Sequence, residues 1–580
     1  MLELALALAL LTGQTEEAAE AVAVPVDEEI DEPLQPSSGS SYDYAFANTQ
    51  RQDVGGGATK VTALAQFPTP TYGYFPAIVH IDNTIGPRQT VRLQFQSQGG
   101  SGGTRTFSRS VDIAEGERRA VSIPVPAHLR YGNLRARAPG ITEKGEAHIY
   151  FNNVSTRQRA VMNIGTAETF QQTVGAKPSY SGNANVQVVN LSREEAPGEL
   201  TPYIGWDAVV LTGTKLEELS EAQRRALEAY AALGGHLVLM QNARGIASSF
   251  PLLAADTGHY GVGELTFCEK CGVQKVLGHT ARVPVRAIEP RGRRNRYAYD
   301  EGNESVTELK LPVAVAPIGR FLLIITLFTL AIGPGSLWVA RKKGPAALLV
   351  TIPGTAAFTC ALIVGYSALR DGFTVHATLQ GFTLLDSTSH RAVTATVGAF
   401  YANLAPGSSR FAADTVVVAP TTSRDYGSID QGASVSWDEG AKFGADLIPS
   451  RSYVEWSILS ASPTRARLVV KHDGSTVRAQ NALGGELDYL QLRVGGKLYT
   501  LSSLKDGEEK EAKEAAAGAG GPQLGTLDKR ISTEAKAALT AKLRDGEFIA
   551  SMKGPGFTPL GGLQLEHTDS RHLVRGGYEK

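Results

Sequence analysis

Two long apolar runs interrupt an otherwise mixed pattern. "RFLLIITLFTLAIGPGSLWVARKKGPAALLVTIPGTAAFTCALIVGYSALRD" spans Arg320 to Asp371. Neither Phe321 to Ala340 nor Pro345 to Leu369 holds an Asp, Glu, Lys, Arg or His. A helix rises about 1.5 Å per residue, so about 20 apolar residues cross a hydrocarbon core of about 30 Å. Soluble core helices of this length carry a polar stripe, and these runs do not. Gly333, Pro334, Gly335, Pro353 and Gly354 would break a soluble helix. In a membrane they are tolerated as kinks or contact points between packed helices. The runs therefore predict a transmembrane hairpin over 320–369. Its connector holds Arg341, Lys342 and Lys343, which the sequence places in a short turn. Short basic loops stay in the cytoplasm, so these three residues determine topology and both flanks are expected outside it. Arg320 and Arg370 stand at the outer ends and slightly reduce that asymmetry.

The flanks read differently. Between Tyr44 and Asn152, "TVRLQFQ", "AVSIPV" and "GNLRARA" alternate apolar and polar positions, separated by "QGGSGGT" and "AEGER". Short alternating strands with Gly-rich turns predict an antiparallel β-sandwich over 44–155. In the next stretch, 156–312, "WDAVVLTGTKLEELSEAQRRALEAYAALGGHLVLM" changes period. Trp206–Thr212 and His236–Met240 read as buried strands. Ser220 and Gln223 form a capping box that opens a helix running to Leu233, and Gly234 and Gly235 close it. Strand, helix and strand with apolar strands predict a parallel βαβ unit. "AVMNI" and "NVQVVNL" add strands before it. Beyond the hairpin, 372–580 alternates again in "RAVTATVGAFYANL", "DTVVVAP", "YVEWSIL", "RARLVVKHDG" and "LDYLQLRVGGKLYTL". This predicts a second, mainly-β domain. Lys505–Pro522 is expected as a charged, solvated insert, Ser532–Gly546 as a helix, and "EFIASMKG" as the closing strand.

At the other end, "MLELALALALLTGQTEEAAEA" (1–21) has a short apolar run and small residues near Ala19 to Ala21, as in an export signal. It lacks the positive start, since the first basic residue is Arg51, and a buried N-terminal helix stands as the alternative. Residues 22–43 are acidic and Pro-containing and predict a disordered linker. The 580 residues suggest roughly three to five domains. Lys and Arg number 57 against 58 Asp and Glu, which argues against a general nucleic-acid surface.

Candidate chemistry is sparse. "GGSGG" (Gly99–Gly103) matches the serine-elbow spacing but lies between polar strands, where a flexible turn is expected. No H-E-x-x-H or G-x-x-x-x-G-K-[ST] pattern occurs. His259, Cys268, Cys271 and His279 form H-x8-C-x2-C-x7-H. The cysteine pair is open to three readings: a disulfide between Cys268 and Cys271, free thiols, or zinc with the two histidines. The disulfide is favoured for a segment outside the cytoplasm. Flanking "ELTF" and "VQKVLG" read as a β-hairpin. No cofactor is implied.

The stretch "WDAVVLTGTKLEELSEAQRRALEAYAALGGHLVLM" resembles glutamine amidotransferase-like (flavodoxin-like) domains of bacterial envelope proteins. Enzymes of that family place a nucleophilic cysteine on a sharp turn after the strand that follows such a helix. Here His236–Met240 leads into "QNARG", with neither Cys nor Ser, so no covalent acyl intermediate can form. The resemblance implies a catalytically inactive domain. "IGPGSLWVARKKGPAALLVTIPG" with "GYSALRDG" resembles a two-helix module of uncharacterised bacterial membrane proteins. Together these imply a multidomain α+β membrane protein in a bacterial inner membrane: β-sandwich, flavodoxin-like α/β domain, hairpin and mainly-β domain. The function expected is non-enzymatic, with extracytoplasmic domains presented to an envelope protein complex or cell-wall glycan. The alternative is a hydrolase or amidotransferase-like enzyme with Asp207, His236 and Gln241 near the strand ends, where open α/β sheets bind ligands.

Overall fold

The structure is a computed structural model. It describes Tyr44 to Lys580 except 71–72, 99–103, 154–157, 179–185, 213–215, 241–258, 269–308, 312–317, 372–373, 388–389, 419–433, 516–526, 528–529 and isolated positions between them. The expected signal segment and acidic linker lie outside the described residues, as does "GGSGG". Strands dominate, in several sheets, and the described part adds two apolar helical spans.

The βαβ signal is found as read. Ala208–Leu211 pairs parallel with His236–Met240, in the register Val209–Leu237, Val210–Val238 and Leu211–Leu239. Between them runs the helix Glu221–Ala232, opened by the reciprocal Ser220–Gln223 capping box. Ala226 to Ala232 are all buried, more than one stripe of a helix. The cause is two-sided packing, against His236–Met240 on one side and Tyr453–Pro463 on the other. The parallel sheet has the order Tyr44–Phe46, Val186–Leu191, Arg159–Ile164, Ala208–Leu211, His236–Met240, Gly263–Cys268, His259–Tyr260. Only its last pairing is antiparallel. Tyr44–Phe46 thus belongs to this sheet and not to the sandwich expected from residue 44; its Tyr44 ring packs on Phe170. Gly263–Cys268 is a parallel neighbour of His236–Met240; "VQKVLG", the second half of the expected hairpin, lies outside the described residues.

Residues before the hairpin also build a five-stranded sheet (Ile141–Lys144, Arg51–Gly57, Lys60–Leu64, Tyr74–Asp82, Arg118–Pro126). An eight-stranded sheet shares its apolar core, where Val61, Phe75 and Ile78 meet Leu93, Phe95 and Leu134. The second sheet corrects the expectation of two separate β domains. Its order is Ser409–Phe411, Ala441–Phe443, Ser434–Ser436, Thr104–Ile113, Gln89–Gln98, Tyr131–Arg137, Glu146–Asn153, Gln66–Thr69. Three of its strands follow the hairpin in sequence. The seam is Ser434–Ser436 lying parallel to Thr106–Ser108. Trp437 N donates to Ser108 O at 2.8 Å, the Ser110 N–H donates to Asp438 at 2.6 Å, and the Tyr74 hydroxyl donates to Val417 O at 2.7 Å. Alternation identifies strands but not partners, which is why the seam left no local trace.

The remaining described strands after the hairpin form a twelve-stranded sheet whose centre is Arg391–Ala402, Val375–Asp386, Arg571–Gly577 and Glu547–Lys553. Glu547–Lys553 is therefore not the closing strand; Arg571–Gly577 follows it and pairs between it and Val375–Asp386. Part of the expected insert is a strand over Glu509–Glu514, paired with Thr476–Ala482 and Lys497–Leu504, with surface ion pairs Lys471–Glu509 at 2.6 Å and Lys497–Glu514 at 3.0 Å. Only Ala512 of that strand is buried, and its charged side chains read as solvated. The helix expected to Gly546 ends at Thr540. The Arg575 guanidinium donates to the carbonyls of Ala538 at 2.9 Å and Leu539 at 3.1 Å, which satisfies the helix end early.

The apolar runs form helices Ile318–Leu330 and Leu348–Asp371, the first continued through a π-turn at Ala331–Gly335 into Ser336–Lys343. The π-turn holds Gly333, Pro334 and Gly335, so these residues kink the span rather than end it. Leu322–Lys343 and Pro345–Ile363 are long and apolar enough to cross a membrane, with none of either buried in protein. Arg341, Lys342 and Lys343 form the last helical turn, not a loop, and Gly344 at φ 85° makes the reversal. That position suits cations, because a helix C-terminus carries partial negative charge.

Candidate functional site

A parallel sheet gathers its ligands at the carboxyl ends of its strands, where strand order reverses direction. Here the reversal lies at Arg159–Ile164, flanked by Val186–Leu191 and Ala208–Leu211. Three polar residues meet there. Asn163 is fully buried. Its side-chain oxygen accepts from the Thr212 hydroxyl at 2.6 Å, and its amide donates to Asn190 Oδ1 at 2.7 Å and Thr166 O at 3.2 Å. Thr166 in turn caps the helix Ala167–Val174 in a reciprocal box with Thr169. The cluster is neutral and internally satisfied, so it ties three strand ends together. The sequence carried a signal for it: Asn163, Asn190 and Thr212 each close or follow a buried strand, and sequence reasoning missed that coincidence.

Asp207 and His236 stand at the opposite edge. Asp207 precedes Ala208–Leu211 and His236 opens its own strand, so both lie at amino ends. This corrects their expected place beside a ligand. Asp207 Oδ2 accepts from Ala160 N at 2.8 Å with the Arg159 guanidinium 3.7 Å away, and His236 Nε2 contacts the Thr266 hydroxyl at 2.9 Å. Both are buried and bind neighbouring strands. Gln241, Cys271 and His279 lie outside the described residues. Backbone alone is described for His259, opposite Glu264, and for Cys268, opposite Met240. The disulfide, thiol and zinc readings therefore fall outside the described part. Among the described residues, no group of three His, Cys, Asp or Glu is arranged to hold a metal. Cys360 is free and exposed on the second span.

Several buried or half-buried charged groups join elements distant in sequence. Glu195 accepts from Ser192 N at 2.7 Å and lies 2.9 Å from His80 Nε2, with Arg51 at 3.4 Å. Burial pushes its carboxyl up, but the hydrogen bonds from His80 and the Ser192 backbone, with the attraction of His80, outweigh it and hold the pKa at about 2. Arg109 contacts Glu199 at 2.5 Å. Across the hairpin in sequence, Arg391 reaches Glu228 on the Glu221–Ala232 helix at 2.5 Å. Deepest is Glu455, paired with Arg530 and accepting from Leu309 N at 3.2 Å, with both ionic side chains almost wholly buried. The Tyr453 hydroxyl joins this group, 2.9 Å from Leu309 O. His572 is also buried against the Thr383 hydroxyl at 2.7 Å, and burial pushes its pKa down to about 3. These pairs are architectural: each links two elements that the sequence keeps far apart.

The sequence matches no family model, and no curated protein matches it. A solved structure it is compared with is a cycloisomaltooligosaccharide glucanotransferase from Paenibacillus sp. complexed with cycloisomaltoheptaose. Identity is 11%, the match covers 35% of this chain and 30% of that chain, and the TM-score is 0.13. A likeness of that size carries no argument about fold or activity.

Proposed function

We propose that this chain is a non-enzymatic, membrane-anchored envelope protein that holds one interlocked body outside the cytoplasm and offers its surface to a protein or cell-wall partner. One observation carries the reading. Ser434–Ser436, after the hairpin, pairs in register with Thr106–Ser108, before it. Strands of one sheet cannot stand on opposite sides of a bilayer. An even number of crossings between them is required, and the two spans Leu322–Lys343 and Pro345–Ile363 supply it. The basic tip Arg341–Lys343 favours the cytoplasmic side for the connector and the outer side for the body.

The α/β portion is read as a flavodoxin-like, catalytically inactive relative of the amidotransferase-like domains. Counted within it, the five mutually parallel strands from Arg159–Ile164 to Gly263–Cys268 have the order 2-1-3-4-5 of that doubly wound class, with antiparallel His259–Tyr260 at the edge. The self-satisfied Asn163 cluster at its reversal point supports a structural role there. Reporter fusions after Lys343 and after Gly372 test the topology. Cytoplasmic activity is expected for the first and extracytoplasmic activity for the second; a cytoplasmic signal from the second overturns the reading.

A further inference from the structure

We propose that the outward face of the eight-stranded sheet is a binding surface for a carboxylate-bearing polysaccharide. The proposal rests on the reading that this face lies outside the cytoplasm. The register builds it in rows. Tyr131 lies opposite Tyr150, then Gln96, Asn133 and His148 share a row, then Gln94, Arg135 and Glu146, then Arg92 and Arg137. From Tyr131 to Arg137 the strand advances about 20 Å, the footprint of an extended chain.

Outward faces of antiparallel sheets are ordinarily polar, so polarity alone carries nothing. Two features do. Tyr131 and Tyr150 are 52% and 57% exposed, side by side on neighbouring strands, where burial does not account for an aromatic pair. Gly132 beside them lets the strand lie against Phe95, since a Cβ there would meet the Phe95 ring at 2.1 Å. The second feature is Arg92 directly opposite Arg137, both exposed and without an ion-pair partner among the described residues. Like charges directly opposite destabilise a sheet, so the pair is unfavourable unless an anion joins it. Tyrosine rings offer apolar faces to the C–H faces of pyranose rings, with a polar edge beside them. The side chains of Gln96, Asn133 and His148 match sugar hydroxyls, and His148 Nδ1 lies 2.7 Å from Asn133 Oδ1. Two guanidinium forks suit carboxylates. Nucleic acid fits less well, because among the described residues the basic side chains of this face without an ion pair are few, Arg92, Arg137 and Lys442, and the chain carries a net charge of −1.

The test is co-sedimentation of the full chain, in detergent micelles, with insoluble peptidoglycan sacculi, native or with their carboxylates converted to amides. The protein is expected to pellet with native sacculi. Tyr131→Ala with Tyr150→Ala should weaken pelleting at least tenfold. Arg92→Gln with Arg137→Gln should weaken it several-fold on native sacculi and leave binding to amidated sacculi unchanged. That second variant should melt at the same temperature as the parent or higher, because a like-charge pair is gone; a purely structural role for the arginines would lower it. A parent chain that stays in the supernatant overturns the proposal. So does a tyrosine double variant that pellets like the parent, or retention on single-stranded DNA but not on sacculi. The reporter fusions read topology independently: failed sedimentation with the expected fusion signals removes the glycan site alone, and reversed fusion signals remove the extracytoplasmic reading.

Discussion

The parallel sheet and the eight-stranded sheet solve the same problem, burying apolar strands, from opposite kinds of sequence. Apart from its first edge strand, the parallel sheet draws on consecutive segments between Arg159 and Cys268, and the helices Ala167–Val174 and Glu221–Ala232 each cross between two neighbouring strands. The eight-stranded sheet draws five strands from 66–153 and three from 409–443, with a membrane hairpin between. Local connection makes the first sheet readable as a unit. The second exists only if the chain returns to the same side of the bilayer. What joins the two halves is therefore a topological statement as well as a packing one.

The sharpest way to break that contrast is at the long-range joints. Glu455→Ala removes the buried carboxylate that Arg530 and the Leu309 N–H share. Removing one member of a buried pair costs about 3–5 kcal/mol. Denaturant titration of the solubilised protein should show that loss, and a loss under about 1 kcal/mol would mean that water reaches the pair.

Within the parallel sheet the comparable lesion is smaller. Asn163→Ala strips the Thr212 hydroxyl and the Asn190 amide of buried partners. About 1–3 kcal/mol is expected for leaving such groups unsatisfied. Hydrogen exchange should locate the added opening in strands Arg159–Ile164 and Ala208–Leu211, with the twelve-stranded sheet unchanged.

A still smaller effect depends on pH. Glu195 titrates at about 2 in the folded chain against 4.5 for an ordinary glutamate. Between those values the unfolded chain binds more protons, so stability falls as pH falls. The contribution is fully present above about pH 4.5 and is lost toward pH 2. Glu195→Gln should flatten that part of the melting-temperature profile, worth about 1–2 kcal/mol after solvent screening. An unchanged slope would detach Glu195 from the joint with His80 and Arg51.

What was legible follows from how local each signal is. The Ser220–Gln223 box, the helix behind it and its two flanking strands were readable because period and caps lie within one stretch. The apolar spans were readable for the same reason. Val375–Asp386 was passed over because nearly every residue is buried on both faces, which erases alternation. Arg571–Gly577 carries two arginines and two glycines in seven residues, which leaves no clear alternation, although its centre, His572 to Val574, is buried. Glu509–Glu514 was missed because only Ala512 is buried and its charged side chains read as solvated, while its pairing is made by the backbone. In the parallel sheet, Asp207 and His236 drew attention as titratable side chains, while the neutral Asn163, Asn190 and Thr212 occupy the carboxyl edge at the reversal point. Titratability marks candidate chemistry, but strand direction decides which edge a residue serves.

The claim that both flanks of the hairpin share one sheet can be tested at the seam. Ser108 and Ser436 are register partners on adjacent parallel strands. Neighbouring strands lie about 4.8 Å apart, within the Cα separation that a disulfide accepts. In a chain whose native cysteines are serine, Ser108→Cys with Ser436→Cys should cross-link within the molecule when membranes are oxidised, giving a faster band on a non-reducing gel that reductant reverses. Ser108→Cys with Asp473→Cys should not. A register pair that stays reduced, or that cross-links only between molecules, would contradict a sheet built from both sides of the hairpin.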